Sequence, residues 1–83
     1  MTAAEKRHLS RVASLPCAAC GNFPVVIHHC VNQQHKKRDH MRTIPLCHDC
    51  HVGPFSIHKA RKSFRAKFGH EEELLTITAE RLK

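Results

Sequence analysis

Tryptophan and tyrosine are absent from this sequence, and phenylalanine occurs only four times in 83 residues. These absences exclude a core built on large aromatic side chains. A chain of this length buries only about 60% of the surface that its unfolded form exposes, so such a domain usually needs a crosslink or a bound metal. The five cysteines and nine histidines are the residues that could supply one. The length predicts one domain over residues 1–83.

Long apolar runs are absent as well. Residues 1–7 lead into polar sequence without the apolar stretch of about 7–15 residues that marks a signal peptide. No segment approaches the roughly 18 apolar residues of a membrane span. We therefore expect no membrane association and a reducing, cytoplasmic compartment, in which cysteines bind metals rather than form disulfides.

Four of the cysteines form two C-x-x-C pairs, Cys17/Cys20 and Cys47/Cys50. Four thiolates in this arrangement can close a tetrahedral structural zinc site with no open position. The long stretch between the pairs suits a β-hairpin inserted between two zinc knuckles. Redox dithiols are an alternative, but a thioredoxin-like motif needs a βαβ context that this chain is too short to supply. Iron–sulfur ligation is another alternative. Cys30 lies outside both pairs and is expected to fill a small apolar position.

Helices are predicted at both ends of the chain. Thr2 and Glu5 have capping-box spacing, which predicts a helix from about Ala3 to Ala13. Three consecutive acids from Glu71 predict the first turn of a last helix, because negative charge there complements the helix dipole. The chain then divides into an N-terminal helix (1–14), a middle part with the zinc knuckles and the core (15–68), and a C-terminal helix (69–83).

The middle part predicts two strands and a helix. The β-branched run at 25–27 favours a strand, and residues 42–46 predict a second, partly exposed strand, in which Pro45 marks an end or an edge. Between them, residues 32–38 predict a loop. From Ser56 to Phe68 the apolar residues recur at helical spacing, which predicts an amphipathic helix that ends at Gly69.

The net charge of +7 is concentrated in one stretch. Residues 35–68 hold nine basic and two acidic residues, whereas basic and acidic residues cancel in the rest of the chain. A basic field beside metal ligands suggests that DNA is held over the metal, although a solubilising surface is the alternative. Contacts to phosphate carry no sequence information, and few aromatic side chains are present to stack on bases, so we expect low sequence specificity. The residues expected to contact DNA are Lys36, Lys37, Arg38, Lys59, Arg61, Lys62 and Arg65.

The histidines predict a second metal site. His28-His29 ends the first predicted strand, where neighbouring side chains point to opposite faces, so that one can turn to a metal and the other to a substrate. His51 directly follows the second C-x-x-C pair, and His58 comes seven residues later. We predict that His28, His51 and His58 converge on one divalent ion and leave positions open for water and phosphate. Chance exposure at the surface is the alternative.

These motifs occur in a characteristic order. They are Cys17-x-x-Cys20, Val26-Ile27-His28-His29, Asp39-His40, Ile44-Pro45-Leu46-Cys47-x-x-Cys50-His51, Cys50-His51-x-Gly53-Pro54-x-x-Ile57-His58 and Phe68-Gly69-x-Glu71-Glu72-Glu73-Leu74-Leu75. The ordered set, which covers about residues 15–76, resembles the HNH nucleases with a ββα-metal (His-Me finger) core. The last two motifs resemble more narrowly the phage RecA-dependent nuclease Ref and its small prophage relatives.

The resemblance implies a small zinc-stapled α+β domain with a ββα-metal core and flanking helices. It implies that His28 binds the catalytic ion, which could be magnesium, manganese or zinc. His29 matches the general base that activates water. His51 and His58 match the remaining ligand positions. A Gly-Pro insertion separates these two histidines by more than one helical turn, so one or both could bind the ion.

Besides the Gly-Pro insertion, two residues depart from the family pattern. Asp39 stands where the family has the asparagine that braces the loop and the base, and His40 could share or take this role. Cys30 replaces a large aliphatic residue. The resemblance also implies a phage or prophage origin, and cleavage that could depend on a RecA filament.

The predicted function is therefore hydrolysis of DNA phosphodiester bonds by a metal-dependent endonuclease of low sequence specificity, in phage recombination or RecA-linked DNA processing. The first alternative is a non-catalytic zinc module that binds nucleic acid, and the second is a small structural or protein-interaction domain. Metal stoichiometry separates these readings, because only the nuclease needs a second, exchangeable ion.

Overall fold

The computed structural model describes residues 1–31, 37 and 39–83. Most of the predicted loop at 32–38, including Lys36 and Arg38, lies outside the described residues. Within the described part of the chain, the elements follow the order α1 (Ala3–Ala13), β1 (Val25–His29), β2 (Thr43–Cys47), α2 (His48–Val52), α3 (Arg61–Phe68) and α4 (Glu71–Arg81).

The N-terminal helix begins and ends as predicted. The Thr2 hydroxyl accepts a hydrogen bond from the backbone N–H of Glu5 (3.1 Å), and the Glu5 carboxylate accepts one from the N–H of Thr2 (2.9 Å). This capping box satisfies two N–H groups that would otherwise lack intrahelical partners. Val12, which is fully buried, anchors the inner face of α1.

The two strands form an antiparallel pair. Val25 lies opposite Cys47 at one end, and His29 lies opposite Thr43 at the other. The register therefore places the second C-x-x-C pair at one end of the hairpin and the His28-His29 pair towards the other. The backbone N–H of Ala18 donates to the carbonyl of Pro45 (2.8 Å), which holds the first C-x-x-C pair against β2.

The prediction that β2 is partly exposed is wrong, because all five of its residues are buried. Helices α1, α2 and α4 all contact this strand, so it lies in the middle of the domain, although the described residues form a sheet of two strands. Pro45 was predicted to mark an end or an edge of the strand; within the described ranges β2 pairs with β1 alone, so on its other edge a missing N–H costs no ladder hydrogen bond.

The helix predicted from Ser56 begins only at Arg61, and residues 53–60 form turns. The N–H of Ile57 donates to the carbonyl of Cys50 (2.9 Å), so this segment folds back on α2. Ser56 and Ile57 are buried at 0% and 1% exposure. The apolar residues whose spacing predicted a helix here instead lie in turns that enter the core.

The last helix begins at Glu71, as predicted. Gly69 ends α3 with a φ of 96°, a left-handed conformation that favours glycine, and its N–H donates to the carbonyl of Arg65 (2.9 Å). Leu74 and Thr78 form the buried face of α4. The contact between α4 and β2 brings the first turn of the helix, and with it Glu71, close to the histidines of β1.

The hydrophobic core is built around the four paired cysteines. Three of them, Cys17, Cys47 and Cys50, cluster with five larger side chains that are each no more than 1% exposed: Ile44, Leu46, Ile57, Phe64 and Leu74. The fourth, Cys20, is exposed at the edge of this cluster. Ile44 and Leu46 belong to β2, Ile57 to the turns after α2, Phe64 to α3 and Leu74 to α4. The core therefore joins these four segments. The result is a small α+β domain in which a potential metal site takes the place of a larger apolar interior.

Candidate metal centres

The first C-x-x-C pair lies in a tight turn that follows α1. The N–H of Gly21 donates to the carbonyl of Cys17 (2.9 Å), and the N–H of Cys20 points to the sulfur of Cys17 at 3.5 Å. Gly21 adopts a φ of 80°, which lets the chain reverse direction directly after the pair. The turn therefore directs both sulfurs to the same side.

The second pair faces the first. Cys47 is the last residue of β2, and Cys50 lies in the short helix α2 that follows. We call the four paired cysteines the cysteine centre: their sulfurs all lie within 4.8 Å of one another, and the Cys20 and Cys47 sulfurs are 3.5 Å apart. Thiolates bound to one tetrahedral zinc at about 2.3 Å would be roughly 3.8 Å apart, so the spacing fits. All the cysteines are free thiols, and the four are positioned to hold a metal ion.

The thiols of the cysteine centre differ in acidity. Burial acts to raise the pKa of Cys17, but hydrogen bonds from the backbone groups of Cys20, Cys47 and Ala19 outweigh it and lower that pKa to about 7. Burial, followed by the neighbouring thiols, raises the pKa of Cys50. Burial also raises the pKa of Cys20. One thiolate thus forms readily and opposes ionisation of the others, and a divalent cation relieves this repulsion, as expected of a structural zinc site.

Three of the predicted histidines come together. His28 from β1, His51 from α2 and His58 from the following turns have ligand nitrogens within 4.8 Å of one another, and we call them the histidine centre. The Nε2 atoms of His51 and His58 are 3.3 Å apart, and the His28 ring lies edge-on to both others. The turns at 53–60 bring His58 back to His51, although the two are seven residues apart. The structure thus brings the three histidines together, and their binding of a divalent ion stays a prediction.

The histidine centre lies between the core and solvent. His28 is 6% exposed, whereas His51 is partly exposed and His58 is exposed. A cavity of about 280 Å³ opens over the three rings, and His29 also lines it. An ion held by these imidazoles could therefore be reached by water and by a substrate.

The His51 and His58 side chains are suited to bind a metal in their neutral form. Burial, followed by the proximity of His28, lowers the pKa of each below its usual value. Only neutral imidazole has a lone pair to offer a cation, so the lowered pKa values keep both residues available as ligands at neutral pH.

We expect metal binding at the histidine centre to persist below the pH at which an ordinary histidine is half protonated. The pKa values of His51 and His58 are lowered in the folded chain, so binding is present above about pH 6.5 and is lost as pH falls through these lowered values. Titration of zinc-loaded protein with cobalt between pH 8 and pH 5, followed by absorbance, checks this. A midpoint above pH 6.5 would contradict it.

His29 and His40 form a pair beside the histidine centre. The Nε2 atom of His29 is 3.1 Å from Nδ1 of His40, within hydrogen-bond distance. His40 is held in turn, because the hydroxyl of Thr43 donates to its carbonyl (3.1 Å). The Asp39 carboxylate instead accepts from the N–H of Met41 (2.9 Å). Asp39 thus bonds within its own turn and His40 contacts the candidate base, an arrangement in which His40 shares the role, as the sequence analysis allowed.

The predicted DNA-contacting residues are only partly described. Lys36 and Arg38 lie outside the described residues, and Lys37 is exposed. Lys59, Arg61 and Lys62 are exposed at the start of α3, whereas Arg65 is partly buried. This leaves an exposed basic surface on the same part of the chain as His58.

Two residues near these centres were not predicted to have a role. Glu71 was assigned only to the first turn of α4, but its carboxylate lies 3.7 Å from Nε2 of His28. Phe55 is 79% exposed and lines a groove with Lys67 and Phe68, which provides an aromatic surface that composition alone did not suggest. The motif that contains Glu71 indicated a helix start but not this contact, and Phe55 has no distinctive sequence signal, because both contacts join separate segments of the chain.

Comparison with known proteins found no matching family model, no similar curated protein and no similar solved structure. Among the helices in the described ranges, none is long and apolar enough to cross a membrane. The functional argument therefore depends on the residues and on their geometry.

Proposed function

We propose that the chain is a metal-dependent DNA endonuclease of the HNH type, with a structural zinc in the cysteine centre and one catalytic divalent ion in the histidine centre. One observation carries the proposal: a cavity lined by three convergent imidazoles also contains a fourth, His29, whose ring contacts His40. Metal-assisted hydrolysis needs these two functions, an open cation site and a base beside it.

In this proposal β1, β2 and the helical segment after them form the ββα-metal core. The hairpin supplies His28 and His29 from adjacent positions of one strand, and the segment after β2 supplies the other two ligands. The cysteine centre fixes one end of the hairpin, because Cys47 ends β2 and Cys17 is held against it. The fold would then supply rigid positions for groups that an 83-residue apolar core could not fix alone.

The bound ion would polarise the scissile phosphate and stabilise charge on the leaving oxygen. His29 acts as the general base. Its Nε2 lies within hydrogen-bond distance of Nδ1 of His40, and this contact would orient the neutral imidazole so that it accepts a proton from water. After proton transfer, the same contact with His40 stabilises the imidazolium and keeps the ring oriented.

The basic residues of α3 and the preceding turns would hold the DNA backbone. Lys59, Arg61 and Lys62 are exposed and close in sequence to His58, so a phosphate bound by them would lie near the histidine centre. These contacts address phosphate oxygens, which supports cleavage with low sequence specificity. A RecA filament as partner, and a role in phage recombination, are proposed from the sequence resemblance alone.

The direct test is nicking of supercoiled plasmid by the purified zinc-loaded protein. We expect relaxed plasmid to accumulate with added magnesium or manganese and to be abolished by a brief excess of EDTA, because the exchangeable ion at the histidine centre is required. If naked plasmid is not cut, the same assay with RecA-coated DNA tests delivery by a filament. Absence of cleavage in both assays, with DNA binding retained, would contradict the nuclease and leave a zinc-stapled nucleic-acid-binding module.

A further inference from the structure

His28 is the most buried member of the histidine centre, and one of its nitrogens faces away from solvent without a hydrogen bond. The residue is 6% exposed, and its Nε2 atom has no hydrogen-bond partner among the described residues. A buried ring nitrogen without a partner is unfavourable, because it has lost its hydrogen bonds to water, so the environment of this atom calls for an explanation.

The group that faces this nitrogen is the carboxylate of Glu71. Its Oε2 atom lies 3.7 Å from Nε2 of His28, and the Glu71 side chain is only 15% exposed. The next residue differs, since the Glu72 side chain is 61% exposed and pairs with Arg42. Glu71 is therefore the acid of this turn that is directed towards the histidines.

His28 belongs to two groups of ligand atoms at once. In one group a ring nitrogen of His28 lies within 4.8 Å of a nitrogen of His51 and of His58, and in the other a ring nitrogen lies within 4.8 Å of the Cys30 sulfur and a Glu71 oxygen. Imidazole has two ring nitrogens that point in different directions, and one can carry a proton while the other binds a metal. A histidine shared between a cation site and a buried carboxylate can use one nitrogen for each.

We infer that Glu71 is the positioning residue of the histidine centre: its carboxylate accepts a hydrogen bond from Nε2–H of His28 and thereby presents Nδ1 to the metal. This inference depends on the histidine centre of the proposed function. A movement of about 1 Å converts the 3.7 Å separation into a hydrogen bond of ordinary length. Metal-bound histidines commonly donate their other N–H to a carboxylate, which fixes the tautomer and increases the basicity of the ligand.

The inference is tested on the tautomer of His28 in zinc-loaded protein without added DNA. Nitrogen-15 NMR of the histidine side chains distinguishes a protonated ring nitrogen from an unprotonated one. We expect the wild type at pH 8 to hold His28 with the proton on Nε2. Glu71→Ala should lose this preference, and Glu71→Gln should retain it, because the amide oxygen still accepts the hydrogen bond.

Metal affinity provides the second measurement. With the cysteine centre filled by zinc, cobalt binding should weaken by roughly 10–100-fold in Glu71→Ala, which is the usual effect of removing such a partner. The matched control is Glu73→Ala, which removes the same charge from the exposed side of the same helical turn and should leave both tautomer and affinity unchanged.

Two results would overturn the inference: an unchanged His28 tautomer in Glu71→Ala, or an equal loss of cobalt affinity in Glu73→Ala. The outcome is separable from that of the nuclease proposal. The His28 tautomer is measured without catalysis and without an ion in the histidine centre. A protein that does not cut DNA but whose His28 tautomer depends on Glu71 would therefore contradict only the nuclease proposal.

Discussion

Replacing Cys47 by alanine is expected to prevent the chain from folding. Cys47 ends β2 and faces the other three thiols of the cysteine centre, around which the core is packed. Apparent binding free energies of structural zinc in small domains are about 10–16 kcal/mol near pH 7. Folded domains as a whole are stable by only about 5–15 kcal/mol. The binding free energy lost with the ion would therefore exceed the free energy of unfolding of a domain this small.

The measurement is thermal unfolding by circular dichroism together with the zinc content of the purified protein. Wild-type protein should bind zinc and unfold cooperatively, and Cys47→Ala should bind less zinc and show no cooperative transition. Cys30→Ala is the matched control, because Cys30 is equally buried but lies outside the cysteine centre. Cys30→Ala should keep its zinc, and the small cavity should lower its free energy of unfolding by only about 1 kcal/mol. A folded, zinc-free Cys47→Ala would show that the cysteine centre is not a structural metal site.

Replacing His29 by alanine is expected to reduce plasmid nicking by about 10²–10⁴-fold, the usual contribution of a general base. His29 lines the cavity over the histidine centre but is not one of its three converging ligands. The variant should therefore fold normally and bind the same number of metal ions as the wild type. This combination separates loss of the base from loss of the ion.

His48→Ala provides the control for this experiment. His48 is a histidine of α2 with an 81% exposed side chain, so the same substitution there changes charge and size without reaching the cavity. Nicking at the wild-type rate is expected for His48→Ala. Equal rates for His29→Ala and the wild type, with metal contents unchanged, would rule out His29 as the base and point to a contaminating nuclease.

Local sequence patterns were sufficient for the helices at the two ends. The Thr2–Glu5 spacing correctly gave the start of α1, because a capping box depends on residues only three positions apart. Gly69 and the acids after it correctly separated α3 from α4. The C-x-x-C spacing likewise predicted two zinc knuckles, and the four sulfurs lie within 4.8 Å of one another. In each case the interacting residues lie within a single turn of chain, so a local sequence pattern is enough to predict the structure.

Segments whose conformation depends on distant partners were predicted less well. Residues 56–60 have helical apolar spacing, but the hydrogen bond from Ile57 to Cys50 and the burial of Ser56 stabilise turns instead. The exposure of β2 was also misjudged, because the hydrophobic pattern of a strand does not reveal how many helices cover it. Tertiary contacts outweighed local propensity at both places.

The histidine centre shows the same division within one site. The residue types indicated which metal ligands were available, and the alternation of a strand predicted that His28 and His29 point to opposite faces, whereas in the structure both line one cavity. Their partners depend on tertiary contacts: His51 and His58 meet His28 through the turns at 53–60, and the Glu71 carboxylate reaches His28 from a helix more than forty residues away. The chemistry of a side chain follows from its residue type. Which side chains lie close together depends on packing between distant segments, and a local sequence pattern is compatible with more than one such packing.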